Sequence, residues 1–128
     1  MVVNKATRQV ICTHMISGRH HDKKLLTCSR VHFRETSEVI VDSGYQGLQK
    51  EHANTHLPIK KSKKQPLTKD QRRANRGQSR KRILVENVLS FLKRFKIIAD
   101  RYRNRRKRFG LRFNLIAAIY NMELANPT

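Results

Sequence analysis

Apolar residues along this chain come in short runs separated by charge, and their spacing predicts a mixture of strands and helices. Met1-Val2-Val3 followed by Asn4-Lys5-Ala6-Thr7 reads as the end of a strand and a turn. Arg8 to Ile16 alternates and is rich in branched residues (Val10, Ile11, Thr13, Ile16), the pattern of a strand. Ser17-Gly18 ends it, and a short helix opens at His21-Asp22 with Leu25, Leu26 and Phe33 facing inward. Val39-Ile40-Val41 is a three-residue apolar run with Glu38 before it and Asp42 after it, which predicts a central strand covered on both faces. Gly44 and Gly47 then permit a tight backbone path away from Asp42.

Beyond Leu57 the polarity rises. Lys60-Lys61-Ser62-Lys63-Lys64 forms a basic loop between Pro58 and Pro66. Thr68-x-x-Gln71 has capping-box spacing, so a polar helix is predicted over 69–76. Gly77 stops it and Ser79 caps the next, which runs from about Arg80 to about Ile98. Val85, Val88, Leu89, Leu92 and Phe95 supply the apolar stripe of that helix. A last helix from about Leu111 to Leu124 carries Leu111, Leu115, Ala118, Ile119 and Met122 on one face. Phe113, Ile116 and Tyr120 lie on its other faces, so it is expected to be largely buried. No internal repeat interrupts this order.

Charge narrows the partners. Lys and Arg number 29 against 9 Asp and Glu, a net charge of +20 over 128 residues. That balance predicts salt-sensitive attraction to a polyanion, nucleic acid above all. The length suits one domain, 1–128, with the basic loop 57–67 inside it. From Lys60 to Arg108 there are 20 Lys and Arg and three acids, interleaved with Phe95 and Tyr102; Phe109 follows. Arg80, Lys81, Arg103, Arg105 and Arg106 are therefore candidate phosphate contacts, with a solvated basic loop at 60–66 as the bland counterpart. No run approaches the ~18 apolar residues of a spanning helix, and no charged-then-apolar leader is present. A membrane is not the expected partner. Cys12 and Cys28 stand alone, which fits a reduced cytosol. His52-x-x-x-His56 is too sparse for a structural zinc site, which takes about four ligands.

Among so few acids, two are placed to bind a metal. Asp42 ends an apolar run, and Glu86 sits within a helix, four residues after Arg82 and seven before Lys93. Hard oxygen ligands converging from a strand end and a helix suit a divalent cation over a phosphodiester. From the residues alone, Asp42 serves equally as a turn residue and Glu86 as a surface partner of Arg82.

The motifs add a resemblance. Val41-Asp42-Ser43-Gly44-Tyr45-Gln46-Gly47 resembles the second-aspartate motif of DDE transposases of the insertion-sequence-five group. Arg82-Ile83-Leu84-Val85-Glu86-Asn87-Val88-Leu89-Ser90-Phe91-Leu92-Lys93 resembles their glutamate motif, with the Arg four before and the Lys seven after the Glu. Ser17-Gly18-Arg19-His20-His21-Asp22 and the tail through Asn114-Leu115-Ile116-Ala117-Ala118-Ile119-Tyr120-Asn121 are similar to further segments of that group. The position three before Arg82, a Tyr in the group's signature, is Ser79 here.

The resemblance implies a ribonuclease-H-like α/β fold, a mixed sheet flanked by helices and incomplete on its N-terminal side. It implies DNA transposition with Mg²⁺ or Mn²⁺, in which Asp42 and Glu86 bind metal, Arg82 and Lys93 hold DNA phosphates, and Asp22 supports the site or caps its helix. No acid lies between Met1 and Ile16, where the group's first Asp is absent, so the chain alone is expected to be inactive. Its expected partners are DNA (transposon ends and target) and an N-terminal transposase half or a second copy. An unsatisfied sheet edge would make it poorly soluble alone. The rival readings are a non-catalytic DNA-binding remnant or regulator, and a basic RNA-binding protein.

Overall fold

The computed structural model describes residues 1–16, 18–100 and 108–126. Its elements are β1 (Val2–Val3), β2 (Val10–Cys12), α1 (Asp22–Ser29), β3 (Val39–Ile40), β4 (Thr55–His56), α2 (Lys69–Leu92), α3 (Lys96–Ala99) and α4 (Phe109–Ala125). Two 3-10 turns, Ser43–Tyr45 and Leu48–Lys50, lie between β3 and β4. The fold is mixed α/β, as the hydrophobic pattern indicates. Among the described residues the strands form two separate pairs rather than one mixed sheet. β1 and β2 are antiparallel, and β3 and β4 are parallel with Val39 opposite Thr55 and Ile40 opposite His56. Among the described residues β3 has one strand neighbour, β4, and is not the central strand its apolar run suggests.

The long alternating stretch from Arg8 to Ile16 pairs only over Val10–Cys12. Arg8 has φ 61 and closes a turn in which Asn4 Oδ1 accepts from the backbone N–H of Ala6 (2.8 Å) and Thr7 (3.1 Å). Beyond Cys12, the Thr13 hydroxyl bonds the Asn114 side chain. These local side-chain bonds take over where a ladder would have continued.

The chain divides into two compact units, and α2 begins in one and ends in the other. The unit made of Met1–Met15 and Leu84–Thr128 has a core of Val10, Val88, Leu92, Phe113, Ile116, Ala117 and Tyr120. Asn121 fastens α4 to β2, since its side chain both donates to Val10 O and accepts from Val10 N, each at 2.9 Å. The inward stripe of α4 is Phe113, Ile116, Ala117 and Tyr120, at i, i+3, i+4 and i+7. Leu111, Leu115 and Met122 are 71%, 62% and 65% exposed, so the helix is not largely buried as its apolar residues on several faces suggest. The helix is apolar nearly all round, so periodicity cannot choose a face. The stripe with two aromatic rings buries more area and prevails.

The second unit, Ile16–Ile83, buries Val39, Leu48, His52 and Thr55. His52 is structural: its Nε2 meets Arg34 O at 3.0 Å, its Nδ1 meets Thr55 Oγ1 at 3.2 Å, and Phe33 stands edge-on to its ring. Both ring nitrogens are in use, so the His52–His56 pair is not a metal site. Cys12 and Cys28 are free thiols. No helix among the described residues is long and apolar enough to cross a membrane.

α2 opens as its capping box predicts. Thr68 N donates to Gln71 Oε1 (3.0 Å) and Gln71 N donates to Thr68 Oγ1 (3.2 Å). It does not stop at Gly77, nor does Ser79 start a new helix; one helix of 24 residues runs from Lys69 to Leu92. Gly77 lacks the positive φ of a helix-ending glycine, and strong helix formers on either side carry the helix through it. Asn75 adds a clamp from outside, donating to Ile59 O and accepting from Ile59 N at 2.9 Å each.

A Cβ at Gly77 would meet nothing within 4 Å. Gly77→Ala is therefore expected to stabilise the protein by about 1 kcal/mol, read as a higher urea midpoint. A fall in the midpoint would mean that the helix breaks there after all.

Candidate active site

The second unit holds a cluster built on the end of β3. The backbone N–H of Val41 still bonds His56 O at 3.2 Å, and the chain then leaves the pair at Asp42. Asp42 keeps extended geometry (φ −81, ψ 166) and precedes the 3-10 turn, with Oδ1 accepting from Ser43 N at 2.5 Å. Oδ1 also takes the guanidinium of Arg82, whose Nη1 lies 2.7 Å away. The Asp42 side chain is 61% exposed and open to a ligand. The Ser43 N–H holds the Asp42 carboxyl below its ordinary value, the charge of Arg82 adds to this, and slight burial opposes it.

Asp42 is thus ionised at any neutral pH. The stability linked to it is complete above 3.8, its ordinary value, and is lost as pH falls through the lower folded value. A carboxyl carbon titration by NMR should place the Asp42 midpoint below 3.8, and Arg82→Ala should move it part of the way back. A midpoint at or above the ordinary value would mean that neither bond persists in solution.

Arg82 is only partly used by Asp42. Its Nη2 reaches Ser79 Oγ at 3.5 Å, and its Nε is buried with no hydrogen-bond partner. Tyr45 completes the cluster at the end of the 3-10 turn. Burial pushes its phenol up, and the charges of Asp22 and Asp42 push it further, so it stays protonated. Asp22 is the first residue of α1, where the helix dipole favours an acid; the capping position is His21, which makes no side-chain capping bond. The Asp22 carboxylate lies against the Gly44 backbone so closely that a Cβ there would overlap it. Lys23 pairs with Glu51 at 2.8 Å, a second link from α1 to the segment after Asp42. Gly47, at φ 89, supplies the left-handed residue this path needs.

Residues 1–121 match the family described as DDE superfamily endonuclease. The chain belongs to the DDE superfamily endonucleases. It is 50% identical over 125 residues to a probable transposase for insertion sequence element IS702 from Microchaete diplosiphon. That alignment covers 98% of this chain and 45% of the relative, so the chain spans under half the length of the curated relative it matches. No solved structure matches it.

Within this DDE endonuclease chain, the structure brings together Asp42, Arg82, Asp22 and Tyr45. Glu86 lies one turn beyond Arg82 on α2, in the other unit, and is exposed, as is Lys93 just past the end of that helix. Arg80 is exposed on α2. Lys81 is tied at 3.1 Å to Glu38, which also faces His56 at 3.6 Å. Arg103, Arg105 and Arg106 lie outside the described residues. The reading of the residues assigned no role to Tyr45 or Glu38. Tyr45 stands inside the Asp42 motif, three positions on, which is the signal that could have found it.

Asp42 supplies a hard oxygen donor, an ionised carboxylate on an exposed side chain. This suits Mg²⁺ or Mn²⁺ better than a soft metal. Among the described residues no three His, Cys, Asp or Glu side chains gather as a complete cage. Mg²⁺ is commonly held by one or two carboxylates with water and substrate phosphate.

Proposed function

We propose that this chain is part of a DNA transposase that cleaves and joins DNA with the help of a divalent cation, on a ribonuclease-H-like framework. The observation that carries the reading is the Arg82–Asp42 bridge. It joins the acid of the Asp42 motif to the Arg of the Glu86 motif, which supports the two motifs serving one chemistry. Asp42 Oδ2 and Glu86 would hold Mg²⁺ or Mn²⁺. When bound, the cation would neutralise phosphate charge and raise the nucleophilicity of the attacking oxygen.

The chain's own groups would set the geometry. Ser43 N–H and Arg82 Nη1 hold Asp42 Oδ1, so the carboxylate keeps one direction. Arg82 offers its remaining N–H groups, and Lys93 its ammonium, to phosphate oxygens beside the scissile bond. Water attack on phosphorus would break the bond to the 3′ oxygen, which leaves with a proton as a hydroxyl. In strand transfer that hydroxyl attacks a target phosphorus and displaces the target's own 3′ oxygen. Asp22, pressed on Gly44, and the Tyr45 phenol would keep the turn after Asp42 in place.

The test is a chimera in which this chain replaces the matching segment of the 50% identical relative. Nicking of supercoiled DNA that needs Mg²⁺ or Mn²⁺ and is lost in Glu86→Gln supports the proposal. DNA binding with no metal-dependent nicking in the chimera would leave a non-catalytic DNA-binding protein.

A further inference from the structure

The continuity of α2 through Gly77 has a consequence for charge. With 3.6 residues per turn, Lys69, Arg72, Arg73, Arg76 and Arg80 fall at i, i+3, i+4, i+7 and i+11, one face of one helix. A break at Gly77 would have separated Arg80 from the other four. All five are exposed. Among the described residues none of them pairs with an acid. Their neighbour Lys81 is off this face and already engaged by Glu38.

Arg82, two residues after Arg80, points to the opposite side of the helix, where it meets Asp42. A helix with its side chains is about 10–12 Å across. A phosphate gripped by the stripe therefore cannot be the one beside Asp42. Five cations over about 16 Å of helix meet a duplex that carries one negative charge per about 1.7 Å.

We propose that the outward face of α2, from Lys69 to Arg80, is a second nucleic-acid-binding surface, which holds a stretch of duplex DNA separate from the stretch being cleaved. It binds phosphates rather than base edges. Lys and Arg on a helix lying against the backbone give register-free contact, and only side chains directed into a groove read sequence. The choice of DNA over another polyanion rests on the transposase reading above.

The experiment uses the 128-residue chain, a duplex of about 20 base pairs of arbitrary sequence, no divalent metal, and salt from about 50 to 200 mM. The slope of log affinity against log salt should fall in magnitude by about 2.7 in Arg72→Gln/Arg73→Gln/Arg76→Gln, at about 0.9 per lost phosphate contact. Gln matches Arg in helix propensity, so α2 should persist, and circular dichroism checks it. The triple Lys variant should keep the slope, because an ammonium suffices at a phosphate. Adding Arg82→Gln to the triple Gln variant should remove a further contact, as two separate stretches require. A slope indifferent to the three Gln changes overturns the proposal, and so does an equal loss in the Lys variant. Stronger binding to duplex RNA than to DNA, lost in the same triple Gln variant, would also overturn it. A chain that binds no DNA at all would sink both this surface and the transposase reading. Loss of the slope with no metal-dependent nicking in the chimera would sink the transposase reading alone.

Discussion

Asp42→Asn in the chimera should slow metal-dependent nicking by about 10³-fold or more. A cation at a scissile phosphate supplies several kcal/mol of transition-state stabilisation, and every 1.36 kcal/mol is a factor of ten. Asn keeps the size of the side chain and an oxygen that can accept from Ser43 N–H and Arg82, so the turn after β3 should hold. What disappears is the negative charge of the carboxylate. Arg82 is also released from an ion pair and becomes more available to phosphate, so DNA affinity should hold or rise. Loss of nicking with undiminished binding separates a ligand role for Asp42 from a binding role. Nicking within about tenfold of the unchanged chimera would mean that Asp42 is a turn residue braced by Arg82 and no more.

The part of the site that was legible is the part written locally. Asp42 through Gly47 is a contiguous motif, and the Thr68–Gln71 capping box is readable because both bonds join neighbours in sequence. The partner of Asp42 was not legible. The resemblance makes Arg82 a phosphate ligand and its spacing makes it a surface partner of Glu86, and neither says that its guanidinium folds back onto an acid far away in the chain. The same holds for Lys81 with Glu38.

Gly77 misled because glycine marks helix ends only when the backbone there turns left-handed, a property of conformation that the residue permits and does not impose. The consequence was functional as well as structural. Two short helices would have left Arg80 out of line with Lys69, Arg72, Arg73 and Arg76. On the strands, Val10–Cys12 pairs as its branched residues suggest, but the extent of the β1–β2 ladder was not readable, since side-chain bonds from Asn4, Asn114 and Asn121 surround it.

Leu92→Ala should destabilise its unit by about 2–5 kcal/mol, while Leu111→Ala should change stability by no more than about 0.5 kcal/mol. The two residues are alike to any reading of the sequence, each an apolar position in a helical stripe. Leu92 is 0% exposed at the end of α2, packed with Val88, Phe113, Ile116 and Tyr120, whereas Leu111 is 71% exposed on α4. Truncating Leu92 removes buried methyl groups and leaves a void whose lining loses contacts. Truncating Leu111 takes atoms from water to water, and Ala is the better helix former, so the small change can take either sign. Domains of this size are stable by only about 5–15 kcal/mol, so the first change should move the urea midpoint far and the second hardly at all. The reverse result would put Leu111, Leu115 and Met122 inward on α4 in place of Phe113, Ile116 and Tyr120. It would also conflict with the Asn121–Val10 clamp, which holds α4 to β2 with Phe113, Ile116 and Tyr120 facing the core.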